Sequence, residues 1–302
     1  MAKIAIFDQV NKFMGDLRTH WEAMGHEVKR ENTFNPALVH WADTTFFEFC
    51  EGSVQVGSNP ESEFWKENPQ PKDKNIICRI HDIDIWSGGP SIVHWDWVNH
   101  AVFVCDYMRK ICNLEEGHPN PQIHTINHGI NLDKFTFNER RPGYKIAWAG
   151  NICQHKCLEL ALQVLAENPS YELHVAGNGF RPWEENYVKE FVSRNNLKYF
   201  YYGRVPDMNE WLEDKNFILL TSFKEAFSFI VGESMAKGIK PLIHNFAGAE
   251  DIWDKKYIWN KVSEVKPMLN AWEYNSGEYR QFVEARYPLQ KMLEEYDKIM
   301  FK

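Results

Sequence analysis

The sequence predicts an α/β protein built from two Rossmann-like, doubly wound domains facing across a cleft. Three observations lead there. Residues 141–276 alternate short apolar runs with stretches of helical periodicity, and residues 1–140 repeat that logic less cleanly. Between them, residues 138–144 (NERRPGY) break two strand signals with charge, Pro and Gly. Strands alternating with helices of this length form a parallel sheet covered on both faces. A chain of 302 residues is long enough to bury two cores.

Taken in order, strands are expected at 3–7, 26–29, 75–80, 101–105 and 122–126. A helix is expected over 13–24, ending before Gly25. The stretch 52–73 is polar, with Gly, Pro and Ser, and reads as loop. Further strands are expected at 145–149, 172–176, 199–202, 217–221 and 240–244. Leu158, Ala161, Leu162 and Leu165 fall at helix spacing between the first two of these. Residues 277–302 carry Phe282, Leu289, Leu293, Tyr296 and Met300 at helical spacing, a closing helix that the pattern alone assigns to neither domain.

Charge and composition narrow the function. The net charge is -8, and residues 1–143 hold 14 Lys/Arg against 20 Asp/Glu. An acidic front half argues against binding a phosphate backbone or an anionic lipid surface. Aromatics make up 15% of the chain, with 12 Trp; most such rings belong in cores, and flat ring faces also suit sugars. Cys50, Cys78, Cys105, Cys112, Cys153 and Cys157 follow neither a disulfide framework nor a zinc spacing, so reduced thiols and a cytoplasmic setting are expected. The apolar run at the start is too short for a signal peptide, and no stretch approaches 18 apolar residues.

Open parallel sheets bind ligands at the carboxyl ends of their strands. In the second half those ends are Gly150–Asn151, 177–179, 203–204, 222–225 and 245–248, and four of the five contain glycine. Strand-to-helix turns use Gly in any case, but five in register favour a ligand edge. Directly after the strand FILLT comes KEAFSFIVGESMAKG, residues 224–238, with Glu225 and Glu233 flanking seven residues. A helix starting near Phe227 would aim the backbone N–H groups of Phe227, Ser228 and Phe229 at a phosphate. Glu233, two turns in, would accept the hydroxyls of a ribose; solvated helix carboxylates would show the same spacing.

These blocks resemble the GT-B retaining glycosyltransferases of the family 4 type (glycosyl transferases group 1). Residues 217–242 look like that family's signature of two glutamates seven residues apart before a small-residue helix. GNICQHKCLELAL (150–162) is similar to its glycine-to-lysine loop, LHVAGNG (173–179) to its Gly-x-Gly strand end, and YYGRVPDMNEWL (201–212) to its base-binding turn. INHGINLDKF (126–135) resembles the segment entering the second domain, and VEARYPLQKMLEEYDKIM the closing helix that crosses back to the first.

The resemblance implies a first domain at 1–140 for the acceptor, a nucleotide-sugar domain at 141–276, and a helix at 277–302 packing back on the first domain. It implies that Glu233 holds the ribose, that Lys156 neutralises the departing diphosphate, and that Glu225 contacts the donor sugar or lies beside the reacting centre. Arg204 and Val205 would face the base, with Gly150, Asn151, Gly177 and Gly203 lining the donor site. Gly15 would be all that remains of the first-domain glycine loop. CRIHDIDIW (78–86) places His81 at a strand end where the family has a histidine near the transferred sugar; a loop histidine bonded to Asp82 or Asp84 is the other reading. Trp86, Trp95 and Trp97 follow, and core packing competes with a role as acceptor platform. The family uses a nucleotide-sugar as co-substrate and needs no metal.

Three departures stand out: Asn151 where the family has Arg, Cys157 where it has Gly after the lysine, and Ser228 where Gly is common. The expected activity is transfer of a hexose from a UDP- or GDP-sugar to a hydroxyl. A nucleotide-sugar epimerase or hydrolase, or a non-catalytic nucleotide-sugar or glycan-binding relative, are the alternatives. A dehydrogenase is disfavoured because GNG at 177–179 lacks the third glycine.

Overall fold

Alternating β-branched, aromatic and small apolar residues form the strands, and the intervening amphipathic stretches form helices that cover the sheets. The computed structural model describes residues 1–118, 120–269 and 274–301. It divides into two compact units, Met1–Asn127 with Gln290–Lys302, and His128–Leu289.

The first unit runs β1 (Lys3–Phe7), α1 (Gly15–Ala23), β2 (Glu27–Glu31), α2 (Pro36–Trp41), β3 (Thr44–Glu48), α3 (Ser53–Ser58), β4 (Asn75–Ile80), α4 (Asp82–Trp86), β5 (His100–Phe103), α5 (Asp106–Cys112), α6 (Leu114–Gly117) and β6 (Gln122–Thr125). Its parallel sheet has the order β2-β1-β3-β4-β5-β6. The order reverses between β1 and β3, where α/β sheets place their ligands. Strand β3 is absent from the sequence expectation because TTFFE is buried on both faces and shows no alternation. The stretch 52–73, expected as loop, contains α3 and a 3₁₀ turn, Glu63–Trp65, anchored by buried Val54 and Trp65.

The second unit runs β7 (Lys145–Ala149), α7 (Leu158–Glu167), β8 (Glu172–Ala176), α8 (Pro182–Arg194), β9 (Tyr199–Gly203), α9 (Met208–Trp211), β10 (Phe217–Leu220), α10 (Phe229–Ala236), β11 (Lys240–His244), α11 (Ala249–Ile252), β12 (Ile258–Trp259), α12 (Val265–Leu269) and α13 (Ser276–Arg286). The parallel order is β12-β11-β10-β7-β8-β9, the dinucleotide-fold order with its reversal between β7 and β10. Ile146, Trp148, Phe217 and Leu219 pack on one face with Leu158, Leu162 and Leu165 of α7. Ala147 and Ile218, one residue out of phase, pack on the other with Leu212 and Ile239.

The units divide at Asn127/His128, upstream of the 140/141 boundary expected from the charged seam. Residues 128–137 are packed into the second unit. The His128 ring sits 4.8 Å from that of Phe229. Arg280 Nη1 donates to the carbonyls of Phe135 and Ala236 at 2.9 and 3.1 Å.

The closing segment corrects the expectation of one helix over 277–302. It is two helices, α13 and α14 (Leu289–Met300), broken at Pro288. Proline has no N–H and forces its predecessor out of helical geometry. The backbone groups freed there pair with Ile130, whose N–H donates to the Tyr287 carbonyl at 2.8 Å and whose carbonyl accepts from the Leu289 N–H at 3.0 Å. So α13 stays with the second unit, and the chain joins the first only from Gln290. Among the described residues no helix is long and apolar enough to cross a membrane.

Candidate active site

In the second unit the loops after β7, β8 and β9 interlock. The Gly150 N–H donates to the Ala176 carbonyl at 3.1 Å, the Gly177 N–H to the Gly203 carbonyl at 2.7 Å, and the Ile152 N–H to the Asn178 carbonyl at 2.6 Å. A side chain at 177 would stand 1.8 Å from the Gly150 carbonyl oxygen, so only glycine fits. Arg204 is exposed beyond Gly203, Val205 is half-buried beside it, and Asn151 is exposed.

Beyond Asn151 the chain makes a 3₁₀ turn, Gln154–Lys156, before α7. The residue between turn and helix, Cys157, has φ 50 and ψ 58, the left-handed region. That is why glycine suits this position, and here a cysteine carries the strain. The Lys156 carbonyl accepts from Thr221 Oγ1 at 2.8 Å, and Thr221 Oγ1 accepts from Trp148 Nε1 at 2.9 Å. The Phe223 N–H donates to the His155 carbonyl at 3.0 Å. These bonds stitch the loop after β7 to the loop after β10 across the point where strand order reverses.

That stitching brings Lys156 and Glu225 together. Lys156 Nζ donates to Glu225 Oε1, and Ser222 Oγ donates to the same oxygen at 2.8 Å. Glu225 is buried and Lys156 half-buried, so the pair is desolvated rather than a surface ornament. Glu225 is thus not a solvated helix carboxylate.

Helix α10 starts at Phe229 with Ser228 as N-cap, two residues later than the sequence expectation. The delay follows from Phe227, whose ring is wedged 5.5 Å from Trp253, 5.2 Å from Tyr287 and 5.5 Å from Phe229. Phe227 therefore lies outside the helix, Ser228 and Phe229 open it, and Glu233 sits little more than one turn in. Burial pushes the Glu233 carboxyl up to about 7, against a small opposing pull from Lys134. Among the described residues no group of three or more His, Cys, Asp or Glu is placed to hold a metal.

In the first unit, Gly15 begins α1, and a side chain there would meet nothing within 4 Å. His81 follows β4 directly and is the N-cap of α4. Its Nε2 lies 2.7 Å from Glu48 Oε1, and its backbone N–H donates to Asp84 Oδ2 at 2.7 Å. The ring's carboxylate partner is thus Glu48, far off in sequence. Trp95 and Trp97 are core, whereas Trp86 is 56% exposed.

Sequence reading missed Glu48, Arg79 and Thr221, and placed Ser222 on the ligand edge without a role. The first two left a trace, since TTFFE and NIICRI each place one charge inside an apolar strand. A buried charge requires a partner, and β3 and β4 pair with Glu48 opposite Arg79.

No curated protein sequence matches the chain. Among solved structures, a glycosyltransferase from Rickettsia africae superposes with TM-score 0.72 at 13% identity, covering 99% of this chain and 98% of the other. Anabaena HepE in complex with UDP-glucose gives 0.73 at 13%, covering 99% of each. Sucrose-phosphate synthase from Thermosynechococcus elongatus gives 0.76 at 12%, covering 99% and 98%. At these identities the likeness establishes the fold. Residues 130–268, inside the second unit, match the family model described as Glycosyl transferases group 1, and the chain as a whole has the GT-B fold of two Rossmann-like domains.

Proposed function

We propose that the chain is a metal-independent retaining hexosyltransferase of the family 4 type. It moves a hexose from a UDP- or GDP-sugar to a hydroxyl acceptor, and works in the cytoplasm. The observation that carries this is the Lys156–Glu225 pair, held at the strand-order reversal within the segment that matches the family. The solved neighbours add support, because HepE is described with UDP and with UDP-glucose.

Breaking the bond between sugar C1 and the phosphate oxygen develops negative charge on the diphosphate. Fixed cationic and dipolar groups answer that need. Lys156 supplies the cation and the start of α10 at Ser228 and Phe229 supplies backbone dipoles. Glu233 accepts the ribose hydroxyls, Arg204 and Val205 border the base, and Glu225 orients Lys156 and meets the donor sugar. On a front-face route the acceptor oxygen bonds C1 on the side the phosphate leaves. The acceptor proton passes to the departing phosphate oxygen, which retains the anomeric configuration. His81 of the first unit lies beside the transferred sugar in this reading.

A thermal-shift screen of UDP- and GDP-sugars, followed by product analysis with and without acceptors, tests the reading. Lys156→Ala and Glu233→Ala should abolish donor turnover; unchanged turnover in either would sink the assignment. Asn151, standing where the family has Arg, favours a non-catalytic binder as the second reading. Calorimetric binding without turnover across acceptors would establish that instead, and donor consumed without acceptor would indicate a hydrolase or epimerase.

A further inference from the structure

Behind His81 in the first unit lies a buried charge network. Glu48 ends β3 and stands in register with Arg79 on β4. Both side chains are 0% exposed. Glu48 Oε2 accepts from Arg79 Nε at 2.7 Å, and Oε1 lies 2.7 Å from His81 Nε2. Arg79 also donates to Tyr296 Oη on α14 at 3.3 Å, to the Phe13 carbonyl at 3.3 Å and to the Met14 sulfur at 3.2 Å. The His81 ring is flanked by Phe13 at 4.9 Å and Phe49 at 4.4 Å.

Removing an ion pair so fully from water costs about as much as the pair returns, so its worth lies in what it orients. Arg79 and His81 together hold Glu48 below the ordinary carboxylate range despite its burial. An ionised carboxylate only accepts hydrogen bonds. The proton between Glu48 and His81 therefore belongs to the imidazole.

We propose that Glu48 is a positioning residue for His81, fixing the ring's plane and keeping a proton on Nε2, while Arg79, braced by Tyr296, holds the second carboxylate oxygen. His81 then meets the reaction in one orientation, with a proton held on Nε2 toward Glu48. The kinetic consequence rests on the reading that His81 lies beside the transferred sugar; the place of the proton does not. Glu48, Arg79 and Tyr296 act through His81 and touch no substrate in this scheme.

Nitrogen-15 NMR of imidazole-labelled full-length protein decides the first part. The wild type should show His81 with a proton held on Nε2, and Glu48→Gln should shift that signal as the proton redistributes over the two ring nitrogens. Glu48→Gln should lower kcat about ten- to a hundredfold, the loss of one charge-assisted hydrogen bond, with the donor KM little changed. Adding His81→Ala to Glu48→Gln should cost no more than His81→Ala alone. If Glu48→Gln does not fold, Tyr296→Phe removes only the bracing hydroxyl and should still shift the His81 resonances. A wild-type His81 protonated on Nδ1 alone, or losses from the two substitutions that simply multiply, would overturn the proposal. A wild type without transferase turnover would defeat the functional reading while the NMR result still decides the positioning role.

Discussion

Lys156 and Glu225, 69 residues apart in sequence, form one ion pair whose shared carboxylate oxygen also accepts from Ser222. Removing only the lysine leaves Glu225 buried with Ser222 alone. Lys156→Ala is expected to lower the stability of the second unit by about 1–3 kcal/mol, and Lys156→Ala with Glu225→Gln by less than the separate losses add up to. Denaturant titration of the four proteins measures the coupling.

Glu233 gives a pH signature. Burial pushes its folded carboxyl up to about 7 from the ordinary 4.5, so between those pH values the folded chain holds a proton that the unfolded chain releases. Its contribution is most favourable below about pH 4.5 and is lost as pH rises towards 7. Glu233→Gln should flatten that decline in denaturation curves. Donor binding should run the opposite way, weakening below about pH 7 as the carboxylate that accepts the ribose hydroxyls is protonated.

Cys157 and Gly177 should both favour the smaller side chain. Cys157 holds a left-handed conformation at φ 50, and Cys157→Gly should stabilise the protein by about 1 kcal/mol. Gly177→Ala would drive a methyl into the Gly150 carbonyl and should unlock the three glycine turns, lowering both melting temperature and donor affinity. Thermal melts with and without UDP-glucose separate the two effects.

Thr221 links the buried Trp148 indole to the Lys156 loop. Thr221→Val, close in shape but without the hydroxyl, leaves the Trp148 N–H unpaired. It is expected to cost about 1–3 kcal/mol and to raise the donor KM more than it lowers kcat, because Lys156 loses its backbone anchor. Steady-state kinetics together with melting curves check both.

Much of the second unit was legible because its helices and strands keep separate periods. Leu158, Ala161, Leu162 and Leu165 are buried as their spacing requires, and the strands at 145–149, 172–176 and 240–244 match β7, β8 and β11. The first unit was harder to read. Strand β3 is sealed on both faces, and helices α2 to α6 each span seven residues or fewer, too short for a helical period to register. The late start of α10 was not legible either, since it depends on aromatic neighbours of Phe227 from two distant segments.

By itself the sequence determined the alternation of strands and helices, the glycines at the strand ends and the two glutamates of the signature, because these depend on local period and backbone freedom. Tertiary structure decided which charges meet. Lys156 faces Glu225 because strand order reverses between β7 and β10, and His81 faces Glu48 because β3 and β4 are neighbours in register. Pairing across a parallel sheet is set by strand order and burial, and a buried charge settles on whichever partner that order places beside it.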